Sequence, residues 1–212
     1  MAPRSSQGGK AIVLHRSRSE LIRRGRQIAA TNPKANISFT EFPHSWGQNS
    51  IIVRFQPAAS VAADSPVVIL GAHLDSTNLL PFLSAPGAGD DGSGTTTLVS
   101  AFTALVNATW TPSQHPVEFM FFSAEEGGLL GSQAVAQDYQ RRGVVVRSFL
   151  QQDMTSWVKK GTKPVFGVIR DFVDPELSEF IIKVIGEYAE IDAVDTKCGY
   201  ACSDHVRSLS LR

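Results

Sequence analysis

The sequence predicts an α/β protein, a three-layer α/β/α arrangement around a mainly parallel mixed sheet. Three observations predict it. Strand-like runs alternate with stretches of helical apolar spacing, the order in which crossover helices cover a parallel sheet. Two runs, Val67-Val-Ile-Leu70 and Val117 to Phe122, read as buried strands, as expected when both faces are covered. And 212 residues with 42% apolar content can bury one sizeable core without needing a second domain.

Ile37 to Phe42 and Ser50 to Phe55 read as strands joined through His44-Ser-Trp-Gly-Gln48, and Pro57 to Pro66 as an Ala/Ser-rich surface loop. After the strand Val67 to Leu70, the stretch Thr95 to Ala108 is apolar at helical spacing through Leu98, Phe102 and Leu105. The strand Val117 to Phe122 follows. Leu129 to Arg142 reads as a helix closed by Gly143, Val144 to Leu150 as a strand, and Pro175 to Ala189 as a helix with Pro175 in its first turn.

Lysine plus arginine equals aspartate plus glutamate at 20 each, so no overall basic field recruits nucleic acid or anionic lipid. No apolar stretch approaches the length of a membrane-spanning helix, and the first residues lack the apolar block of a secretory signal. Residues 1–30 form a basic, Ser- and Arg-rich segment expected to be disordered, with a domain over residues 31–212. Asn36-Ile-Ser38 and Asn107-Ala-Thr109 fit the glycosylation sequon. Cys198 and Cys202, the only cysteines, permit either a tight disulfide loop or two free thiols.

Ligands in parallel sheets bind beyond the carboxyl ends of the strands, and three strand ends here carry metal-ligand residue types. Gly71-Ala-His73-Leu-Asp75 follows the first buried strand, Glu125 and Glu126 the second, and Gln151-Gln-Asp153 the strand after it. Between the first two lies Pro86-Gly-Ala-Gly-Asp90-Asp91-Gly-Ser-Gly94, a flexible loop that delivers two acids to a helix start, where either would also serve as a cap. One imidazole with several carboxylates suits zinc, manganese or cobalt. The acids outnumber what one zinc needs, so two cations sharing a carboxylate fit the set better than one. Asp75, two residues after His73, is expected to accept the imidazole's other N–H. His44, beside Trp46, reads as structural, and His205 as a residue near the site rather than a ligand.

Five motifs in order, Gly71-Ala-His-Leu-Asp-Ser76, Pro86 to Gly94, Ser123-Ala-Glu-Glu-Gly127, Gln152-Asp-Met-Thr155 and Cys198-Gly-Tyr-Ala-Cys-Ser-Asp-His205, resemble the M28 group of secreted zinc aminopeptidases, in particular its fungal leucine-aminopeptidase-like branch. The resemblance implies the zinc-exopeptidase fold and a co-catalytic pair of zinc ions that hydrolyses the N-terminal peptide bond of peptides and proteins. It implies that His73 and Asp153 hold one zinc, Glu126 holds the other and Asp90 bridges both, since the bridging residue sits three before the serine, here Ser93. Glu125 would then be the general base, Tyr200 would lie near the substrate carbonyl, and Cys198 with Cys202 would form a disulfide. It further implies a secreted monomer acting on peptide N-termini, with neither nucleic acid nor membrane as partner. The group carries a further zinc-ligating histidine beyond the last matching motif, and residues 206–212 do not resemble that continuation. A C-terminally truncated member is therefore expected, one ligand short at the second zinc, with weakened activity. Two other functions compete: a non-catalytic fragment or binding domain, and a glutaminyl-cyclase-like transferase. The latter fits less well, because such enzymes use one zinc and depart from the pattern that Asp90 to Gly94 retains.

Overall fold

The computed structural model describes residues 7–57, 65–80 and 82–205. Most of the loop between Pro57 and Pro66, and the tail from Val206 to Arg212, lie outside the described residues. Helices are α1 (Gln7–Ala29), α2 (Gly92–Asn107), α3 (Leu130–Arg141) and α4 (Pro175–Tyr188); strands are β1 (Ile37–Phe42), β2 (Ser50–Phe55), β3 (Val67–His73), β4 (Val117–Phe122), β5 (Val146–Gln151), β6 (Phe166–Ile169) and β7 (Ala193–Thr196). A five-stranded sheet runs in the order β1-β2-β4-β3-β5. It is mixed: β1, β2 and β4 pair antiparallel, whereas β3 pairs parallel with both β4 and β5.

Successive residues of a strand face opposite sides, so the apolar run of β2 serves two cores at once. Ile51, Val53 and Phe55 join Phe119, Phe121, Leu98, Phe102 and Val106 on the α2 side, while Ile52 joins Ile69, Met120, Phe122, Val135 and Tyr139 on the α3 side. Leu98, Phe102 and Val106 recur every four residues and form one stripe of α2. The Phe102 ring meets Phe55 and Phe119 edge-on at 5.4 and 5.8 Å, a geometry aromatic quadrupoles favour.

One charge lies inside this apolar framework. Glu118 of β4 is buried, accepting from Arg54 Nη1 and from the Tyr139 hydroxyl, each at 2.7 Å. Burial first, and then the Glu118 charge, raise the Tyr139 phenol above its ordinary value, so it stays a donor.

The N-terminal stretch departs from expectation, since α1 is helical across most of what reads as a disordered segment; residues 1–6 lie outside the described residues. Composition alone favours a solvated chain, but Leu21, Ile22, Ile28 and Ala29 supply an apolar face that packs on the α2 side of the sheet. Glu20 bridges Arg23 and Arg24 one turn on, which satisfies part of the charge excess. Tertiary burial overrides the compositional prior.

The short strands β6 and β7 flank α4 and pair parallel with each other as a separate two-stranded sheet. At four residues each and largely exposed, they leave too little periodicity to be read from sequence. Asp174 caps α4 by accepting from the N–H groups of Glu176 and Leu177, ahead of Pro175 in the first turn. No helix among the described residues is long and apolar enough to cross a membrane.

Candidate metal centre

The parallel trio β4-β3-β5 brings its carboxyl ends to one edge. His73 is the last residue of β3 and stands in register with Phe122 of β4, while Gly71 stands beside Gln151 of β5. Glu125 therefore follows three residues beyond one neighbouring strand and Asp153 two beyond the other. Two close approaches seat the surrounding helices. A side chain on Gly94, in the first turn of α2, would lie 2.3 Å from the Gln152 carbonyl oxygen, and one on Gly131 of α3 would lie 2.1 Å from that of Ser123. Only glycine lets both helix starts sit this near the strand ends.

His73 is the centre of the site and is 1% exposed. Its Nε2 makes no hydrogen bond, although Asp90 Oδ1 lies 3.0 Å away, Asp153 Oδ1 3.8 Å and Glu125 Oε2 3.9 Å. A buried nitrogen with no bond and three carboxylates around it is a group awaiting a cation. Nδ1 lies 3.1 Å from the main-chain carbonyl oxygen of Asp75, which fixes the ring and leaves Nε2 free to ligate.

The Asp75 carboxylate stands beside that contact, 3.6 Å from Nδ1, where it acts to raise the imidazole, and it also accepts from the backbone N–H groups of Glu125 at 2.9 Å and Glu126 at 3.0 Å. A carboxylate facing two consecutive amides satisfies donors that the imidazole cannot offer. Asp75 thus orients the acidic pair with its side chain and the imidazole with its backbone.

The adjacent acids Asp90 and Asp91 divide into different environments. Asp91, 1% exposed, accepts three backbone N–H groups: Gly94 at 2.8 Å, Met154 at 3.1 Å and His73 at 3.2 Å. It is the N-cap of α2 and ties that helix to the segments after β3 and β5. Among the described residues, the acidic and imidazole groups that come within 4.8 Å of one another are His73, Asp91 and Asp153. Asp91 has its oxygens committed to amides, however, whereas Asp90 has a half-exposed carboxylate and the shorter approach to Nε2. The Asp90 carboxylate is thus the less committed of the two. Glu126 is exposed and lies outside that group.

Left-handed backbone flanks both remaining acids. Ala124, at φ 55°, precedes Glu125, and Met154, at φ 49°, follows Asp153. Non-glycine residues adopt this region at a cost and cluster where side chains must be aimed.

Carboxyl groups crowd the site. Burial first, with Asp204, Asp153 and Asp75 adding to it against the opposing His73, pushes Glu125 up to about 8. Burial also lifts Asp91 to about 6, Asp204 to about 7, and Glu126 above its ordinary value. Burial works to lower the His73 imidazole, but Asp75, Asp153 and Glu125 overcome it and raise it to about 10. Positive charge is what this cluster lacks. A buried donor nitrogen with oxygen ligands on several sides fits zinc in both residue type and arrangement.

Several supporting residues were not legible in the sequence. Ser203 donates to Asp153 Oδ2 at 2.7 Å, turning the other oxygen toward His73. Asp171 accepts from the N–H groups of Cys198 and Gly199, anchoring the loop closed by the Cys198–Cys202 disulfide, on which Tyr200 is 66% exposed. Trp46 Nε1 donates to Ser123 Oγ at 2.8 Å, and His44 stacks on Trp46 at 4.3 Å while its Nε2 lies 2.8 Å from Ser50 Oγ. His44 is thus structural, as expected. His205 lies beyond Ser203 and Asp204, where burial lowers its imidazole, and it stands outside the group around His73.

Residues 50–210 match the model of Peptidase family M28. A leucine aminopeptidase 1 of Sclerotinia sclerotiorum is 50% identical over 173 residues, covering 77% of this chain and 43% of that protein. Among solved structures, the LapA aminopeptidase of Legionella pneumophila superposes with a TM-score of 0.78 at 30% identity, over 89% of this chain and 49% of that one. BSAP, a zinc aminopeptidase from Bacillus subtilis, superposes with a TM-score of 0.59 at 28% identity, over 77% and 38%. The chain spans about half the length of the curated relatives it matches.

Proposed function

This chain belongs to peptidase family M28, and from that premise we propose that it serves as the metal-bearing part of an aminopeptidase that hydrolyses the N-terminal peptide bond of peptides. The observation that carries the reading is the buried, unbonded Nε2 of His73 facing the carboxylates of Asp90, Asp153 and Glu125. His73, Asp90 and Asp153 would hold one zinc, and Asp90 with Glu126 a second. The second is the weaker, because only carboxylates among the described residues serve it.

Zinc, when bound, supplies Lewis acidity to the scissile carbonyl and acidifies the attacking water. Glu125 takes the proton from that water at its carboxylate as the water's oxygen bonds the carbonyl carbon, and returns it to the leaving nitrogen as the C–N bond breaks. Asp75, through the two backbone amides, keeps Glu125 and Glu126 in their separate orientations. The excess of carboxylates also suits a substrate that arrives with a free ammonium group. Tyr200, on the loop anchored by Asp171, would border the carbonyl. The Cys198–Cys202 disulfide supports an oxidising, extracellular setting.

Hydrolysis of leucyl-p-nitroanilide by the zinc-loaded chain tests this. Turnover should vanish with chelator and fall roughly 100- to 10,000-fold in Glu125→Gln, the usual contribution of a general base. Turnover unaffected by Glu125→Gln contradicts the assignment. A folded, zinc-bound chain without turnover would instead support a non-catalytic binding domain.

A further inference from the structure

Between Ser76 and Gly87 the chain leaves the metal centre and returns to it. A side chain on Gly87 would meet Ser76 at 2.7 Å, and Gly92 N–H donates to the Gly87 carbonyl, so the two stems touch at the base. The loop is held by its own polar groups. Asn78 accepts from Leu80 N–H through Oδ1 and donates through Nδ2 to the Ser84 carbonyl, and Leu83 N–H donates to Leu80. A compact loop with joined ends and internal bonds of this kind is frequently functional.

What it displays is apolar. Leu79 is 98% exposed, Phe82 77%, Leu80 51% and Leu83 47%. Large apolar side chains exposed close together in the chain mark an interaction site. The loop's place relative to the acids is set by its stems, since Asp75, just before the loop, accepts from the Glu126 N–H at 3.0 Å, and a side chain on Gly87 would lie 3.6 Å from the Asp90 carbonyl oxygen. Leu79 follows Asp75 by four residues, so its Cα lies within about 14 Å of that of Asp75.

We propose that Leu79, Leu80, Phe82 and Leu83 form the surface that receives the side chain of the substrate's second residue, the one following the scissile bond, and that the protein favours peptides with a bulky apolar residue there. The inference rests on the aminopeptidase reading above. In such a reaction the first residue ends at its ammonium group inside the site. Only the leaving part of the peptide extends outward far enough to meet a surface this exposed. The stems of the loop lie by Glu126 and Asp90, whereas the cystine loop reaches the centre through Ser203 and Asp153. Charge disfavours a lipid occupant, since residues 73–91 contain three aspartates and neither lysine nor arginine.

The test measures binding, so it does not depend on turnover. Zinc-loaded Glu125→Gln protein is titrated calorimetrically with Leu-Phe-Gly and Leu-Gly-Gly, with and without Leu79→Ser and Phe82→Ser; substitutions at such exposed positions leave the fold intact. The intact loop should bind Leu-Phe-Gly roughly tenfold more tightly, the lower end of what one added apolar group is worth in a pocket. The serine substitutions should remove that preference while leaving Leu-Gly-Gly unchanged. The same preference in the serine variants overturns the inference while sparing the aminopeptidase reading, as does equal binding of the two peptides with the loop intact. Loop-dependent sedimentation with phosphatidylcholine vesicles and no peptide preference overturns it in favour of a lipid surface. Failure of both peptides to bind overturns the aminopeptidase reading with it.

Discussion

Replacing Asp91 by alanine should unfold the protein far more readily than replacing its neighbour Asp90. Asp91 accepts N–H groups from His73, Gly94 and Met154, the first two belonging to buried residues. Alanine would leave all three donors without partners. An unsatisfied buried donor costs roughly 1–3 kcal/mol. Allowing for relaxation and for water reaching Met154, the loss should be about 4 kcal/mol, in the range of broken buried networks. Set against a typical total of about 5–15 kcal/mol, that is a large share. Asp90 has a half-exposed side chain, and Asp90→Ala should change stability by less than about 0.5 kcal/mol. Urea unfolding of the metal-free variants, followed by circular dichroism, measures both. Equal midpoints for Asp91→Ala and the parent, or a larger loss in Asp90→Ala, would refute the division of the two acids into a pin and a ligand.

Other expectations follow from the same contacts. Tyr139→Phe removes one of the two donors to buried Glu118 and should cost about 2 kcal/mol in the same unfolding assay; an unchanged midpoint would show that Glu118 does not depend on it. Ser203→Ala frees Asp153 Oδ2 and should weaken zinc binding about 10- to 100-fold by chelator competition, with the fold intact. Undiminished affinity would mean that Ser203 does not aim Asp153. Asp171→Ala removes the acceptor of the Cys198 and Gly199 amides, whose hydrogen exchange should accelerate at least tenfold, whereas unchanged exchange would show the disulfide alone holds the loop.

Much of the architecture is legible because burial on two faces leaves an unmistakable pattern. Val117 to Phe122 can be read as a strand because almost every position is apolar, and Leu98, Phe102 and Leu105 declare a helix by their spacing. Glu118 is hidden inside that same run, since its partners Arg54 and Tyr139 meet it only when β2 and α3 pack against β4. The helix α1 fails to register because its arginines dominate the composition while its few apolar residues find a partner only in the folded sheet. At the site, His73, Asp90, Glu125 and Asp153 converge because strand ends in a parallel sheet share an edge, which topology alone dictates. The resemblance picks Asp90 over Asp91 by its place three residues before Ser93, whereas the part Asp91 plays depends on a carboxylate that points at amides, a matter of local backbone that no spacing encodes. Ser203 and Asp171 belong to the site through contacts spanning 50 and 27 residues, so nothing near them in the chain announces their part.

Zinc titrated calorimetrically into the metal-free chain, side by side with His73→Ala, tests the metal centre most directly. A centre built on the unbonded His73 nitrogen predicts one tight zinc per chain and a weaker second. Affinity at the tight site should fall more than 100-fold in His73→Ala, because losing a residue that touches the ion costs more than losing one that orients it. Zinc held equally well without His73, or not held at all by the parent chain, would contradict it.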